Sequence, residues 1–238
     1  MSGKKVCVVI GVGKGIGSSV AKKFAKEGFL VALCSRNKEK LEPFVKEITQ
    51  EKGEAFSVAF DTTDEKSVSE GFKEIKDKIQ NRPIDVLVYN ASSPFKFAPV
   101  QNIVPSEFEQ SFKATCLGAL LSTQQVLPSM LENNKGTIIF TGATASLRGG
   151  ANFGQFASGK AALRSLAQSL AREAHPKGVH ISHVIIDGLV DINRDYSSRP
   201  KETFIDPDEV AKTYFHLHDQ HPSAWTHELE VRPYLEKF

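Results

Sequence analysis

At 238 residues, 40% hydrophobic and 24% charged, the chain has the length and balance of one large globular α/β domain spanning residues 1–238. A formal net charge of +2, with Lys and Asp/Glu interspersed, excludes a strongly basic nucleic-acid binder, so no nucleic-acid partner is expected. No apolar run is long enough for a membrane span and no leader or lipidation signal is visible, so the expected location is cytoplasmic, without a membrane partner.

Lys4 to Ile10 is a continuous β-branched run that fits a strand buried on both faces. The turn Gly11-Val12-Gly13-Lys14-Gly15-Ile16-Gly17 follows, then a helix with Ile16, Val20 and Phe24 on one side and Gly28 as its stop. A second strand, Phe29 to Ser35, leads through Arg36-Asn37 into a helix carrying Leu41, Phe44, Val45 and Ile48. Strand three, Glu54 to Phe60, reaches Asp61, and the next helix aligns Val68, Phe72, Ile75 and Ile79. Strand four, Ile84 to Tyr89, ends at Asn90-Ala91-Ser92. After a loop rich in Pro and Phe, a long helix runs from Ser106 to about Leu131, with Ser106 and Glu109 as a capping box. A fifth strand, Thr137 to Phe140, enters the turn Thr141-Gly142-Ala143-Thr144. Beyond it lies a helix opened by Lys160, with Leu163, Leu166 and Leu170 on one face. Val179 to Ile186 is a sixth strand, Asp187 to Ile205 an irregular connection, and Asp206-Pro207-Asp208-Glu209 an N-cap signal. Thr226 to Val231 fits a short last strand. Alternating strands and helices predict a Rossmann-like, doubly wound parallel sheet with helices on both faces. Cys7, Cys34 and Cys116 lie far apart in apolar runs, which predicts buried reduced thiols and no metal site.

Gly11, Gly15 and Gly17 stand between a buried strand and an amphipathic helix, where glycine permits a tight turn and close approach of a phosphate. The helix N-terminus supplies unpaired N–H groups for a pyrophosphate, so a dinucleotide site is expected. A carboxylate after strand two would hold a ribose diol and repel a 2′-phosphate. Ser35-Arg36-Asn37 carries no acid there, and Lys14 lies within reach, so NADP(H) is expected in preference to NAD(H). The alternative is that Lys14 and Arg36 are solvated surface charges.

The strand, turn and Lys-bearing helix around residues 137–174 resemble the active-site region of the short-chain dehydrogenase/reductase family. That family is read by a Ser, a Tyr thirteen positions on and a Lys four further; here the positions hold Ala143, Phe156 and Lys160. The resemblance spans about Lys4 to Val231 and includes the Gly-x3-Gly-x-Gly spacing, with Ile10 in place of the usual Thr. It implies a cofactor-binding set of Gly11, Lys14, Gly15, Ile16, Gly17, Ser35, Arg36, Asp61, Asn90, Lys160 and Gly188. In that set Asp61 lies near the adenine and Lys160 on the nicotinamide ribose. Asn90-Ala91-Ser92 replaces the family's Asn-Ala-Gly, Asp187-Gly188 its Pro-Gly, and Ile192 a downstream Thr.

By the same resemblance Tyr donates the proton, Lys lowers its pKa, Ser orients the substrate oxygen and an Asn supports a water chain. Phe156 has no hydroxyl, Ala143 cannot hydrogen-bond an oxygen, and the Asn position is Thr115. A positioned general acid contributes roughly a hundred- to ten-thousand-fold, so ordinary carbonyl reduction is expected to be crippled. Thr141, Thr144, Ser146, His183, Asp187 and Asp191 are candidate substitutes, each with a plain structural alternative, and Phe153 closes the enoyl-reductase option. Tyr196, in the loop that the family lays over its substrate, is the best substitute acid; a loop Tyr without a role is the alternative. Two functions stand: an NADP(H)-dependent oxidoreductase acting on a small apolar carbonyl or alkene, given Phe95, Phe97, Phe153 and Phe156, or an NADP(H)-binding protein without turnover, serving as redox sensor or inactive partner subunit. The resemblance also implies a homo-oligomer, dimer or tetramer, through the helices of residues 106–131 and 159–174. The tail around Trp225 is expected to pack over the site or into an interface.

Overall fold

The computed structural model describes residues 3–192, 196–197 and 199–236. Seven parallel strands form one sheet: β1 (Val6–Ile10), β2 (Leu30–Ser35), β3 (Glu54–Ala59), β4 (Val86–Tyr89), β5 (Gly136–Thr141), β6 (Val179–Ile186) and β9 (Glu228–Val231). Their order is β3-β2-β1-β4-β5-β6-β9, so the chain reverses its direction of travel between β1 and β4. Every residue of β1 is buried, because helices cover both faces: Val6, Val8 and Ile10 join one core, Cys7 and Val9 the other.

On the Cys7 face lie α1 (Ile16–Lys26), α2 (Glu42–Gln50) and α7 (Pro207–Asp219); on the other lie α3 (Glu65–Lys78), α4 (Pro105–Phe112), α5 (Gly118–Glu132) and α6 (Gly154–Ala174). Helix α1 ends at Gly28, whose φ of 87° suits a residue without Cβ. There Phe29 N–H donates to Phe24 O and Gly28 N–H to Ala25 O, and the two Phe rings meet edge to face at 5.2 Å. Phe24 is fully buried, a burial that contributes about 1.5–3 kcal/mol. Asp206 caps α7 by accepting from Asp208 N–H at 2.8 Å, as its Asp-Pro-Asp-Glu signal predicts.

Four local expectations are corrected. The long helix starts at Pro105 rather than Ser106, with Val104 before it and no side-chain cap, so the Ser106–Glu109 box does not form. It then widens into a π-helical stretch, Lys113–Leu117, before continuing as α5. Helix α6 starts at Gly154, well ahead of Lys160, so Phe156 and Lys160 stand one turn apart on the same face. The connection after β6 holds two short paired strands, β7 (Leu189–Val190) and β8 (Phe204–Ile205).

Candidate functional site

The carboxyl ends of the sheet strands open into two clefts on either side of the glycine turn, where an open α/β sheet places its ligand site. The smaller, about 340 Å³, lies over the ends of β1 to β4 between Gly13, Arg36, Asp61 and Asn90. The larger, about 610 Å³, is bounded by Ile16, Ala143, Phe156, Lys160 and Gly188.

The glycine turn is built for close approach. A Cβ at Gly11 would lie 2.5 Å from the Ala91 nitrogen, and one at Gly17 would lie 2.5 Å from the Gly11 carbonyl oxygen. Asn90 Nδ2 donates to that same oxygen at 2.9 Å and ties β4 to the turn. Gly15 precedes α1 and offers no side-chain cap, and the first turn holds no acid, so the partial positive charge of the helix N-terminus is not offset by a side chain there. Ser35 donates to Asn37 O at 3.1 Å, which leaves the Arg36 guanidinium at the cleft without a carboxylate beside it. Asp61 instead accepts from Thr63 N–H at 2.9 Å and from Thr63 Oγ1 at 2.8 Å. Lys14 is exposed and is not among the side chains that line either cleft. Ile192 meets the turn directly: a Cβ at Gly15 would contact its side chain at 3.4 Å, so the connection after β6 folds down over the glycines.

In the larger cleft Lys160 is only 3% exposed and donates from Nζ to Thr141 O at 2.7 Å. Burial pushes its pKa from 10.5 down to about 8. The ammonium lies 5.7 Å from the centre of the Phe156 ring. Ala143, at the start of the turn after β5, presents only a methyl group, while its N–H donates to Ser146 Oγ at 3.1 Å. Thr115 sits in the π-helical stretch, and its hydroxyl is buried without a partner. A Cβ at Gly159 would lie 3.1 Å from Thr115 Cβ, so α6 crosses tightly over the π-helical stretch at this point. Phe156 belongs to an aromatic wall, since Phe95 lies 5.3 Å from Phe156 and 4.8 Å from Phe153, and Phe97 lies 4.5 Å from Phe95.

Of the candidate substitutes, most are already engaged. Thr141 shares a 2.8 Å hydrogen bond with Tyr214, and Ser146 accepts from the Ala143 backbone. Tyr196 is 41% exposed, donates to Asp191 Oδ2 at 2.6 Å and does not line the cleft. His183 is fully buried; its Nδ1 meets Glu228 Oε2 at 3.0 Å, and Arg164 grips Glu228 with two bonds of 2.7 Å. Burial outweighs that carboxylate and lowers the His183 pKa to about 4, so the ring is neutral at neutral pH. Trp225 stacks on His180 at 4.8 Å, away from the cleft, and it is the later tail residue Glu236 that reaches the cleft wall.

The pairing of Thr144 with Asp187, and the presence of Arg148, Arg199 and Arg232, are not evident from local sequence. Thr144 lines the cleft and donates to Asp187 Oδ1, while Arg232 donates to Asp187 Oδ2, so the carboxylate is 6% exposed and doubly held. Arg148 and Arg199 also line the cleft. An Arg in a loop beside glycines or serines looks like an ordinary solvated charge, and only the folded chain puts these two on one wall. Among the described residues no group of three His, Cys, Asp or Glu side chains gathers as a metal ion would need, and no helix is long and apolar enough to cross a membrane.

A parallel sheet with a glycine turn at the reversal point, a cradle that any Cβ would fill and a buried amine across the crevice define a Rossmann-type dinucleotide-binding protein. Residues 5–202 match the family model described as short chain dehydrogenase. An uncharacterized oxidoreductase of Staphylococcus saprophyticus is 29% identical over 234 residues, covering 96% of this chain and 97% of that protein. A short-chain dehydrogenase from Rhodopseudomonas palustris, known from a crystal structure, is 37% identical with a TM-score of 0.85, over 97% of this chain and 99% of that one. A metagenomic short-chain oxidoreductase solved in complex with NADP is 27% identical with a TM-score of 0.85, over 97% of each chain. The chain belongs to the short-chain dehydrogenase family and is an oxidoreductase of that type.

Proposed function

We propose that the protein is an NADP(H)-dependent oxidoreductase with an altered proton-delivery site, acting on a small apolar carbonyl or alkene. The observation that supports this reading is a glycine turn with no room for a side chain at Gly11 and Gly17, together with a buried Lys160 lining the larger cleft. Bound there, the nicotinamide supplies hydride chemistry. Gly11, Gly15, Ile16 and Gly17 form the pyrophosphate seat, Asn90 fixes the turn, and Asp61 borders the adenine side. Ser35 and Arg36 take the 2′-phosphate; the unopposed guanidinium and the absence of an acid after β2 favour NADP(H) over NAD(H). Gly188, at φ 150°, lets the chain pass close to Pro233 behind the larger cleft.

Phe156 and Ala143 neither donate a proton nor hold a substrate oxygen, and Thr115 replaces the amide expected in the long helix. Lys160 takes over the proton. Its ammonium lies within the cleft, and a pKa near 8 matches the operating range of a general acid. The four Phe rings hold the apolar part of the substrate. Assembly into a homo-oligomer through α4, α5 and α6 belongs to the same reading.

Titration calorimetry with NADP+ and NAD+, followed by assay of Phe156→Tyr/Ala143→Ser beside wild type, tests it. NADP+ is expected to bind more tightly, wild type to be slow on simple ketones, and the double variant to gain broad carbonyl reduction. No heat from either dinucleotide at millimolar concentration overturns the proposal. Cofactor binding without turnover of any carbonyl or enone by wild type, with carbonyl reduction gained by the double variant, selects the alternative of a cofactor-binding protein without catalysis, which the loss of both hydroxyls at positions 143 and 156 favours.

A further inference from the structure

The described arginines divide into two groups. Among the described residues, Arg164 and Arg232 are paired with carboxylates, and Arg82 and Arg172 donate to backbone carbonyls. Arg36, Arg148 and Arg199 have no such partner, and all three line a cleft: Arg36 the smaller, Arg148 and Arg199 the larger. An unpaired guanidinium keeps its fork free for a planar anion. The cofactor reading takes Arg36 but leaves Arg148 and Arg199 without a role.

The charges around the larger cleft point the same way. Asp187 is neutralised in place by Arg232 and Thr144, so it does not balance the arginines. Among the described residues Glu236 is the remaining carboxylate of the lining, set against Arg148, Arg199 and the Lys160 ammonium. The same cleft is lined by the aromatic wall, with Phe97 63% and Phe95 44% exposed. Two exposed apolar rings and two guanidinium groups lining one cleft suit a ligand with an apolar body and an anionic end.

We propose that the larger cleft selects a carbonyl or alkene substrate that also carries a carboxylate, with Arg148 and Arg199 pairing its anionic end and the Phe95/Phe97/Phe153/Phe156 wall holding its aromatic or alkyl body. This deepens the oxidoreductase reading by naming the substrate class, and it rests on that reading for the hydride step. The two arginines act as specificity residues on the substrate anion and take no part in proton transfer.

The test separates the two claims by measuring binding. The full chain is first titrated with NADP+, then, saturated with NADP+, with 4-phenylbutyrate, its methyl ester and octanoate. The acid is expected to bind and to weaken as salt is raised, and the ester to bind less tightly. Arg148→Gln and Arg199→Gln are each expected to weaken the acid about three- to fivefold, because rim charges are screened by solvent, and to leave the ester unchanged. Octanoate binding as well as 4-phenylbutyrate extends the class to alkyl chains, whereas binding of the aromatic acid alone confines it to arenes; both support a carboxylate site. Equal affinity for acid and ester, or full acid affinity in both variants, or no acid binding to a chain that binds NADP+, overturns this inference and leaves the cofactor reading standing. Loss of NADP+ binding with retained, arginine-dependent acid binding overturns the oxidoreductase reading alone.

Discussion

Lys160→Met is the perturbation that reports most directly on the site. The wild-type amine is 3% exposed, and one of its three N–H donors is satisfied, by Thr141 O at 2.7 Å. Desolvation therefore dominates and lowers the pKa from 10.5 to about 8. Below pH 8 the amine is charged in both folded and unfolded chains, and the folded state carries the whole burial penalty. Between about 8 and 10.5 the unfolded chain keeps a proton that the folded one has released, so this residue makes stability rise with pH. The full difference is about 3 kcal/mol, taking 1.36 kcal/mol for each unit between the two pKa values.

Other groups act in the opposite sense over the same range. Burial raises the pKa values of Cys7, Cys34, Tyr89 and Tyr214, so the folded chain retains protons that the unfolded chain loses. The informative quantity is thus the difference between wild type and variant. Met keeps the apolar stem and removes the charge, and it is expected to stabilise the cofactor-free protein by about 2–3 kcal/mol at pH 7, an advantage that shrinks toward zero by pH 10.5. Urea denaturation of both proteins at pH 7, 8, 9 and 10, without cofactor, measures it. A wild-type-minus-variant difference that stays flat across that range would refute the buried-amine argument, and with it the proton role given to Lys160.

Gly17→Ala is expected to fold with reduced stability and to lose NADP+ affinity at least tenfold by calorimetry, since the new Cβ meets the Gly11 carbonyl oxygen at 2.5 Å. Arg36→Asp is expected to weaken NADP+ by about ten- to a hundredfold while sparing NAD+, the loss of a charged hydrogen bond with repulsion added; equal losses for both dinucleotides would count against the 2′-phosphate role. On the acid side, burial holds His183 and His218 near pKa 4, so their stabilising effect is complete above pH 6.5 and is lost as pH falls toward 4. His218→Gln, which can keep the bond to Thr137, is expected to recover about 2 kcal/mol of the stability lost between pH 6.5 and 4, and chemical denaturation at the two pH values checks it.

The sheet was legible in the chain because its strands are buried on both faces and therefore read as unbroken β-branched runs, as from Val6 to Ile10. The glycine turn and the Asp206 cap were legible because each meets a local backbone need. What the sequence hid depends on partners distant along the chain. Asp187 reads as a solvated loop charge, yet Arg232, 45 residues downstream, buries it. The π-helical stretch has no local signal: Tyr89, 25 residues upstream, donates to Ala114 O at 2.6 Å, and Gly118 leaves the space that the Tyr89 hydroxyl occupies. The start of α6 carries no local signal, because its first turn holds glycine and phenylalanine, weak helix formers, and it is held by Phe95 on Phe156 and by Phe95 and Phe97 on the N-cap residue Phe153. Loop position alone ranks Tyr196 first among the substitute acids, beside the reading of a loop Tyr without a role, and its hydroxyl donates to Asp191.

The Phe at the tyrosine position is best understood through its surroundings. A polar ring that lost its function without replacement would leave buried hydrogen-bonding groups around it unsatisfied. Instead Phe156 packs edge to face on Phe95 and presents its ring to the Lys160 ammonium, and both arrangements use an aromatic ring without a hydroxyl. Its neighbours are consistent with that use. Ala143 places a methyl group on the same cleft, and Phe95, Phe97 and Phe153 extend the apolar wall to the mouth. The unpartnered buried polar atoms nearby are the Thr115 hydroxyl, in the π-helical stretch beneath Gly159, with Gln155 Oε1 and His183 Nε2. The site therefore has the character of a cleft rebuilt around apolar contact and a buried amine, in which charge is handled by Lys160 and the rim arginines. A Phe156→Tyr change alone would place a hydroxyl among phenyl rings without restoring the Ala143 or Thr115 partners, and it is expected to gain far less carbonyl reduction than the Phe156→Tyr/Ala143→Ser pair. Equal activity of the single and double variants, measured with NADPH and a simple ketone, would show that the missing phenol alone explains the altered chemistry.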